Sequence, residues 1–425
     1  MKNIIYILFL LIHLNGFSQT WSAVGTGTSD DTWELSVYNS ELFVGGQFDV
    51  AGGLICNKMA KWNGTNWDTI PGVPGGDNIS AFESFNGEFY IGRGFSPFIH
   101  KWNGSAWSFV GTGLNNVVVD MIEFNSELYA GGIFTTAGGN PANRIAKWNG
   151  TTWSAVGTGM NKDVLSLAVY KGELYAAGRF DTASEYNVVN HIAKWSGNFW
   201  VPLGAGVNGG AVSAMAVYKD ELYVCGNFTT AGGLASPLIA RWNGSSWNTV
   251  STGIAGIAVG SFAEYNGELY TGGLFDSAGI VPANNIAKWD GINWSALGST
   301  NNGITGFVDA LAVYNNELYV SGRISDAGGI SVNNIARWST TTTILENDFN
   351  NSIKVLPNPF SNELLLSGTN QKGRIELFDL TGKEIMRNNT LENETKLNTE
   401  NLLPGFYMLK YVEQNKSVNL KLMKL

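Results

Sequence analysis

KWNGTTWSAVGTGMNKDVLSLAVYKGELYAAGRF, residues 147–180, has a near copy in RWNGSSWNTVSTGIAGIAVGSFAEYNGELYTGGLF, residues 241–275. The two tryptophans that open each stretch recur along most of the chain. The second stands at Trp21, Trp67, Trp107, Trp153, Trp200, Trp247 and Trp294, in steps of 46, 40, 46, 47, 47 and 47 residues. The first stands at Trp62, Trp102, Trp148, Trp195, Trp242, Trp289 and Trp338, which leaves only Trp33 of the 15 Trp outside both columns. A fixed period in this range marks a repeat architecture, in which each unit buries its apolar face against the next.

Each unit reads as four strands. Around residue 170, VLSLAVY (164–170) is strand a, Lys171-Gly172 a two-residue turn and ELYAAG (173–178) strand b. A longer loop runs to Asn190, then HIAKW (191–195) is strand c and FWVPL (199–203) strand d. Most c–d turns contain Asn-Gly, a pair that accepts the positive φ of a type I′ hairpin. Four antiparallel strands at this period predict a propeller blade. The repeats begin with a lone strand d, WSAV (21–24), and end with strands a, b and c over 308–338. The N-terminal strand is therefore expected to complete the last blade, which removes sheet edges that would template aggregation. The predicted fold is all-β: a seven-bladed β-propeller over 19–339, a linker at 340–350 and a small Ig-like β-sandwich over 351–425. The double Gly of most b strands, followed by the c-strand Trp, resembles kelch and galactose-oxidase-like propellers over 21–339. That resemblance implies the fold class and no functional residue.

Composition narrows the function. The 425 residues are 44% hydrophobic and 14% charged, too apolar for a disordered chain. A formal net charge of −9 argues against a nucleic-acid partner, whose phosphates need a basic face. Two Cys, Cys56 and Cys225, fall in different blades and read as buried thiols rather than a disulfide. Residues 1–18 have a basic Lys2, an apolar run from Ile4 to Leu14 and small Gly16 and Ser18 before a cut at Gln19: a secretory signal peptide. No transmembrane segment is expected in the mature chain.

Residues present in every blade serve each blade; those that vary are open to function. Strand b always begins with Glu (Glu41, Glu88, Glu127, Glu173, Glu221, Glu268, Glu317), and a base always precedes the c-strand Trp (Lys61, Lys101, Lys147, Lys194, Arg241, Lys288, Arg337). Strands b and c are antiparallel, so these charges are expected to pair across the ladder. The long b–c and d–a loops share one end of the propeller, where binding residues concentrate. Two columns vary there, one after the b-strand Gly and one at the start of strand c. Arg144, Arg179, Glu185, Tyr186 and His191 are expected to cluster at the mouth between blades 3 and 4, with Asn227 and Arg323 as further ligand-face candidates. Blade 2 is short, and its His100 replaces an Ala found in the other six blades, either as packing or as a ligand.

Catalytic motifs are missing. No GxSxG, HExxH, phosphate loop or GxGxxG before a helix occurs. His100 and His191 lie on different blades without a Cys at metal spacing, so neither a metal nor a cofactor is predicted. Carboxylate pairs for glycosidic chemistry stay open, because 25 acids lie in 21–339.

The tail differs in composition. Residues 21–339 carry 15 bases and 25 acids, whereas 340–425 carry 10 of each and no Trp. Alternating runs after the Thr/Asn-rich STTTTILENDFNNS argue a small β-sandwich. VLPNPFSNELLL (355–366), IELFDLTGKEI (375–385), LLPGFYMLKY (402–411) and the terminal KLMKL resemble the type A C-terminal sorting domain of the type IX secretion system. On that resemblance Pro357, Asn358 and Pro359 form the opening block and Asp379, Gly382 and Lys383 the middle turn. Gly405 and Tyr407 then belong to the last hairpin, and Lys421 and Lys424 to the basic end. The resemblance implies a Bacteroidota-type cell, passage through the periplasm and the type IX machinery as a partner, with the chain secreted or displayed on the outer surface. The expected function is non-enzymatic binding of a glycan or protein; the alternative is a secreted carbohydrate-active enzyme using propeller-face carboxylates.

Overall fold

A computed structural model describes residues 18–94, 98–184, 187–298, 303–341, 354–356, 360–369, 373–379, 383–389, 393–413 and 416–424. The chain separates into two compact units, Gln19–Thr340 and one containing Thr341–Leu425. The expected signal peptide lies almost wholly outside the described residues.

Among the described residues of the first unit are seven antiparallel sheets, each built on four strands in the order a-b-c-d. The a strands are Thr32–Tyr38, Ile79–Phe85, Val118–Phe124, Val164–Tyr170, Val212–Tyr218, Ile254–Tyr265 and Ile304–Tyr314. Each neighbours the next, and the last neighbours the first, so the sheets close into a propeller ring. The seventh sheet takes its outer strand from the N-terminus: Ser18–Ala23 lies beside Ile335–Thr341. Trp21 packs there on Trp338, with ring centroids 4.9 Å apart.

Two corrections concern turns. The a–b turns carry the type I′ signature, with positive φ at both central residues: Lys171 at 51° and Gly172 at 73°. The c–d turns do not. In the turn at 149–152 only Gly150 is left-handed, at 98°. Asn149 contributes its side chain instead, its Oδ1 accepting from the N–H groups of Thr151 and Thr152 at 2.9 and 2.8 Å. The Asn-Gly pair is therefore an Asx turn. The b–c loops also carry a small hairpin of their own, such as Thr136–Ala137 with Asn140–Pro141. The hairpin backbone lies on the d-strand Trp: a Cβ on Gly138 would sit 3.0 Å from the Trp153 side chain.

Blades are tied to each other by two kinds of hydrogen bond. Five d-strand indoles donate to a carbonyl of the preceding blade; Trp153 to Val110 and Trp247 to Leu203, at 2.9 and 2.7 Å, are two of them. The a-strand tyrosines reach forward to the next a–b turn, as Tyr170 does to Asp220 and Tyr218 to Gly267, at 2.9 and 2.8 Å. Three junctions carry both bonds, and at the other four one kind stands in for the other. Phe85 and Phe124 replace Tyr where Trp153 and Trp200 supply the tie. Tyr218 and Tyr265 supply it where Trp294 and Trp21 lack a partner for the indole N–H among the described residues.

All seven Glu–base pairs form. Their N···O separations run from 2.7 Å at Lys101–Glu88 to 3.1 Å at Arg337–Glu317. They are diagonal: Lys194 faces Tyr175, and Glu173 is two residues along on the same face. Cys56 and Cys225 are buried free thiols. His100 is buried against Phe109, its ring 5.2 Å away. Burial, then the nearby Arg93 guanidinium, pushes its imidazole down to about 4. Arg93 itself is buried and donates to the backbone oxygens of Pro74, Gly75 and Asp77.

The second unit contains two antiparallel sheets, one of Lys354–Leu356, Glu363–Thr369 and Asn393–Asn398, the other of Glu384–Asn389, Arg374–Phe378, Gly405–Glu413 and Lys416–Lys424. Leu364, Leu366, Ile375, Leu377, Leu409 and Tyr411 make a core from both.

Candidate functional site

The loop face is built by a repeated backbone device. At the start of every c strand one residue is left-handed: Lys58, Phe98, Arg144, His191, Leu238, Asn285 and Asn334 have φ between 62° and 72°. At Arg144 the amide donates to Phe134 O at 2.8 Å and the carbonyl accepts from Gly132 N–H at 3.0 Å. His191 repeats the pattern with Phe180 and Gly178. This conformation places His191 outside strand c, which begins at Ile192 rather than at 191 as the sequence predicts. The column varies in side chain because its backbone, held twice, fixes the position.

Arg144 and Arg179 meet over one carboxylate. Asp163, at the end of the loop joining blades 3 and 4, lies 3.1 Å from Arg179 Nη1 through Oδ2 and 3.8 Å from Arg144 Nε through Oδ1. The Asp163 side chain is 20% exposed and Arg179 61% exposed. Lys162 adjoins them and pairs with Asp181 at 2.6 Å. Burial pushes the His191 imidazole down, opposed chiefly by its backbone contact with Gly178 and the charge of Asp181. Its Nδ1 is buried without a partner among the described residues. Glu185 and Tyr186 lie outside the described residues.

The remaining two candidates are elsewhere. Arg323 grips Asp31 through Nε, at 2.9 and 3.1 Å, and ties blade 7 to blade 1. Asn227 Oδ1 accepts from Ala211 N–H at 2.7 Å, within its own blade. Arg323 remains 77% exposed while it holds Asp31, and Asn227 is exposed as well.

Sequence reasoning missed a second feature. Asp309, Glu34, Glu83 and Asp120 lie on the a strands of blades 7, 1, 2 and 3, at differing positions along the strand, whereas the a strands of blades 4 and 5, Val164–Tyr170 and Val212–Tyr218, carry no acid. Glu83, Asp120 and Asp309 are each pushed up to about 7. Desolvation is the main cause, followed at Glu83 by Asp120 and at Asp309 by Asp31. Glu34 is also raised, by desolvation and then Asp120. Asp120 is anchored by Leu167 N–H at 2.6 Å and Met121 N–H at 2.8 Å. Comparing a strands blade by blade, as was done for the loop columns, exposes this asymmetry in the sequence. On the short-loop side a cleft of about 310 Å³ opens between blades 1 and 2, lined by Tyr38, Trp102 and the repeated pair Glu41 and Lys61.

In the second unit, Asp379 N–H donates to Lys383 O at 3.0 Å, and Lys383 N–H to Asp379 Oδ1 at 3.1 Å, closing the middle turn. Tyr407 OH donates to Leu403 O at 2.8 Å. Lys424 is buried, donates to Ser361 O and stands 5.8 Å from the Phe360 ring centroid. Gly405 opens the strand that pairs with Lys416–Lys424, and Lys421 pairs with Met408 in that ladder. Pro357, Asn358, Pro359 and Gly382 lie outside the described residues.

The first unit defines the class: an all-β propeller protein with four-stranded antiparallel blades. Residues 354–424 match a family model, the secretion system C-terminal sorting domain. The match indicates export to the cell surface or secretion, with the type IX machinery as the partner of this domain. No helix among the described residues is long and apolar enough to cross a membrane. No curated protein matches the chain. Among solved structures, the chain is similar to PorZ of Porphyromonas gingivalis, a surface component of that secretion system: 13% identity, TM-score 0.43, covering 93% of this chain and 66% of that one. It is similar to YCF48 bound to D1 peptide: 14% identity, TM-score 0.45, covering 76% and 96%. A Bacteroides thetaiotaomicron protein of unknown function is 9% identical, with TM-score 0.38 and 76% of each chain covered.

Proposed function

We propose that the propeller is a non-enzymatic binding module carried outside the cell, taking a glycan or a protein through the long-loop face between blades 3 and 4. The observation that carries this reading is the position of Asp163 between Arg144 and Arg179. Non-repeated charges from two blades converge there, and Arg179 keeps unspent donors exposed to solvent. A residue that served every blade alike would recur seven times; these do not. A signal peptide over residues 1–18 and a sorting domain over 351–425 complete the proposed organisation, with the signal removed before Gln19.

A second reading, a carbohydrate-active enzyme, is supported by the inner-strand carboxylates. Glu83 and Asp120, pushed up to about 7, have the proton affinity a general acid needs at neutral pH. Screening the mature chain against glycans and cell-surface proteins, with product analysis of every glycan bound, separates the two. Binding without cleavage, lost on changing Arg144 and Arg179, supports the module. Cleavage lost in Glu83→Gln or Asp120→Asn supports the enzyme.

A further inference from the structure

We propose that the cleft between blades 1 and 2 is a second binding site, independent of the loop face, and that it takes a single neutral sugar ring. One column of strand b differs there. Its third residue is Tyr in six blades, at Tyr90, Tyr129, Tyr175, Tyr223, Tyr270 and Tyr319, and Phe43 in blade 1. In blade 7 the Tyr319 hydroxyl does two things with one oxygen. It accepts from the Trp62 indole of the next blade at 3.2 Å and donates to Glu317 Oε2 at 3.2 Å. Tyr223 accepts in the same way from Trp289 at 3.3 Å, and Tyr175 donates to Glu173 at 3.4 Å. Phe43 has no hydroxyl, so the matching groups, Trp102 and Glu41, lose what would link them. Trp102 Nε1 makes no hydrogen bond among the described residues, and Glu41 bonds only through Oε2, to Lys61 at 2.9 Å. Trp102, Glu41 and Phe43 all line the cleft of about 310 Å³.

The place of that hydroxyl selects the ligand's chemistry. A single oxygen that accepts from an N–H and donates to a carboxylate is a hydroxyl. A carboxylate cannot donate and is repelled by Glu41; an ammonium cannot accept. Lys61 is held by Glu41 and Asp68, 2.9 and 3.7 Å away, so no cation is left over for an anion. A water occupies about 30 Å³, whereas the cleft, at about 310 Å³, has the size of a small-molecule site. Tyr38, Phe43 and Trp102 give apolar walls for the C–H face of a sugar ring. The Asn39 amide, which makes no hydrogen bond among the described residues, serves a second hydroxyl. Tyr38 and Ser105 already donate, to Gly87 O and Asn103 Oδ1. A phenol brings one hydroxyl and leaves Asn39 unused; a sugar brings several. The mouth is also open. A Cβ on Gly104 would meet nothing within 4 Å, whereas on Gly244 and Gly291 it would stand 3.4 and 2.9 Å from Lys171 and Lys219 Nζ.

The test is a saturation-transfer NMR titration of the full mature chain with glucose, galactose, mannose and N-acetylglucosamine, with phenol as the rival ligand. At least one sugar is expected to bind. Phe43→Tyr restores the residue of the other six blades, returns the hydroxyl and should weaken that sugar by about tenfold or more, the cost of a hydrogen bond left unmade. Asn39→Lys, which installs the residue of blades 4 and 5, should close the mouth with a similar loss. Both variants copy sibling blades, and unchanged melting temperatures establish that they fold. Arg144→Ala/Arg179→Ala should leave the sugar bound as before, so this site and the loop face fail separately. Binding of none of the four sugars, undiminished binding by Phe43→Tyr, or tighter binding of phenol that displaces the sugar overturns the proposal. Loss of the sugar in Arg144→Ala/Arg179→Ala overturns it too, by moving the sugar to the loop face. In the Phe43→Tyr background, the glycan screen of the loop face reads that face alone.

Discussion

Arg337 Nε donates a hydrogen bond to Ser22 Oγ at 2.8 Å across a sequence separation of 315 residues. The bond joins the last inner-to-outer run of strands to the N-terminal strand, and beside it Trp21 is 5% exposed against Trp338. Closure thus joins strand pairing and hydrogen bonds to one buried aromatic pair. Trp21→Ala should cost about 3–5 kcal/mol, the usual loss for truncating a buried aromatic. Denaturant melts of the mature chain measure it. A loss below about 1 kcal/mol, within the range of ordinary surface changes, would mean that the ring does not depend on this strand.

The seven diagonal ion pairs should each contribute little. At Glu173 and Lys194, 43% and 32% exposed, water screens the charges, so a double-mutant cycle should give a coupling of about 0.2–1 kcal/mol. Glu173→Lys alone should destabilise more than the exchanged pair Glu173→Lys with Lys194→Glu. Strictly additive losses would show that the charges do not sense each other.

Stability should respond to pH through two opposing groups. Glu83, Asp120 and Asp309 hold their protons up to about 7 in the folded chain but only to the ordinary carboxylate range when unfolded. Between those limits the folded state binds more protons, so this contribution is present at low pH and lost as pH rises toward 7. His100 has the reverse sign. Folded, it stays neutral down to about 4, so its contribution is present above its unfolded value near 6.5 and lost as pH falls toward 4. Melting temperatures from pH 4 to 8 check both. Glu83→Gln should raise stability at pH 8. His100→Ala, which restores the residue of the other blades, should flatten the acid side. An unchanged pH profile in either variant would contradict the assignment.

Removing residues 351–425 should hold the propeller in the periplasm, since residues 354–424 match the sorting domain. Cell fractionation with an antibody to the propeller reads the outcome. Surface delivery of the shortened chain would show that export uses another signal.

The Trp columns made the repeat legible because each indole packs between strands that recur; within blade 4 the apolar run VLSLAVY and the Lys171-Gly172 turn placed strands a and b at the observed Val164–Tyr170 and Glu173–Gly178. The Glu and base columns were legible for the same reason. The c–d turns were misread because Asn-Gly serves two chemistries: a left-handed pair in one turn, a side-chain acceptor in the other. His191 was placed in a strand because its left-handed backbone leaves no trace in residue type. The meeting of Arg144 with Arg179 followed from adjacent blades sharing one face. Their partner Asp163 did not, because among the seven blades its loop column carries Asp only there and at Asp31. Arg323 and Asn227 read alike in the sequence, and only the geometry gives them partners, Asp31 and Ala211.

The binding surface itself is tested most directly by a screen of the mature chain against immobilised glycans and cell-surface proteins, repeated with Arg144→Ala/Arg179→Ala and, as a control of equal charge loss, Lys171→Ala/Lys219→Ala on the opposite face. A ligand bound by the native chain should be lost, by tenfold or more, in the Arg144/Arg179 variant and kept in the control, with both variants melting as folded proteins. Retention by the first variant, or equal loss in both, would contradict the assignment of function to the face between blades 3 and 4.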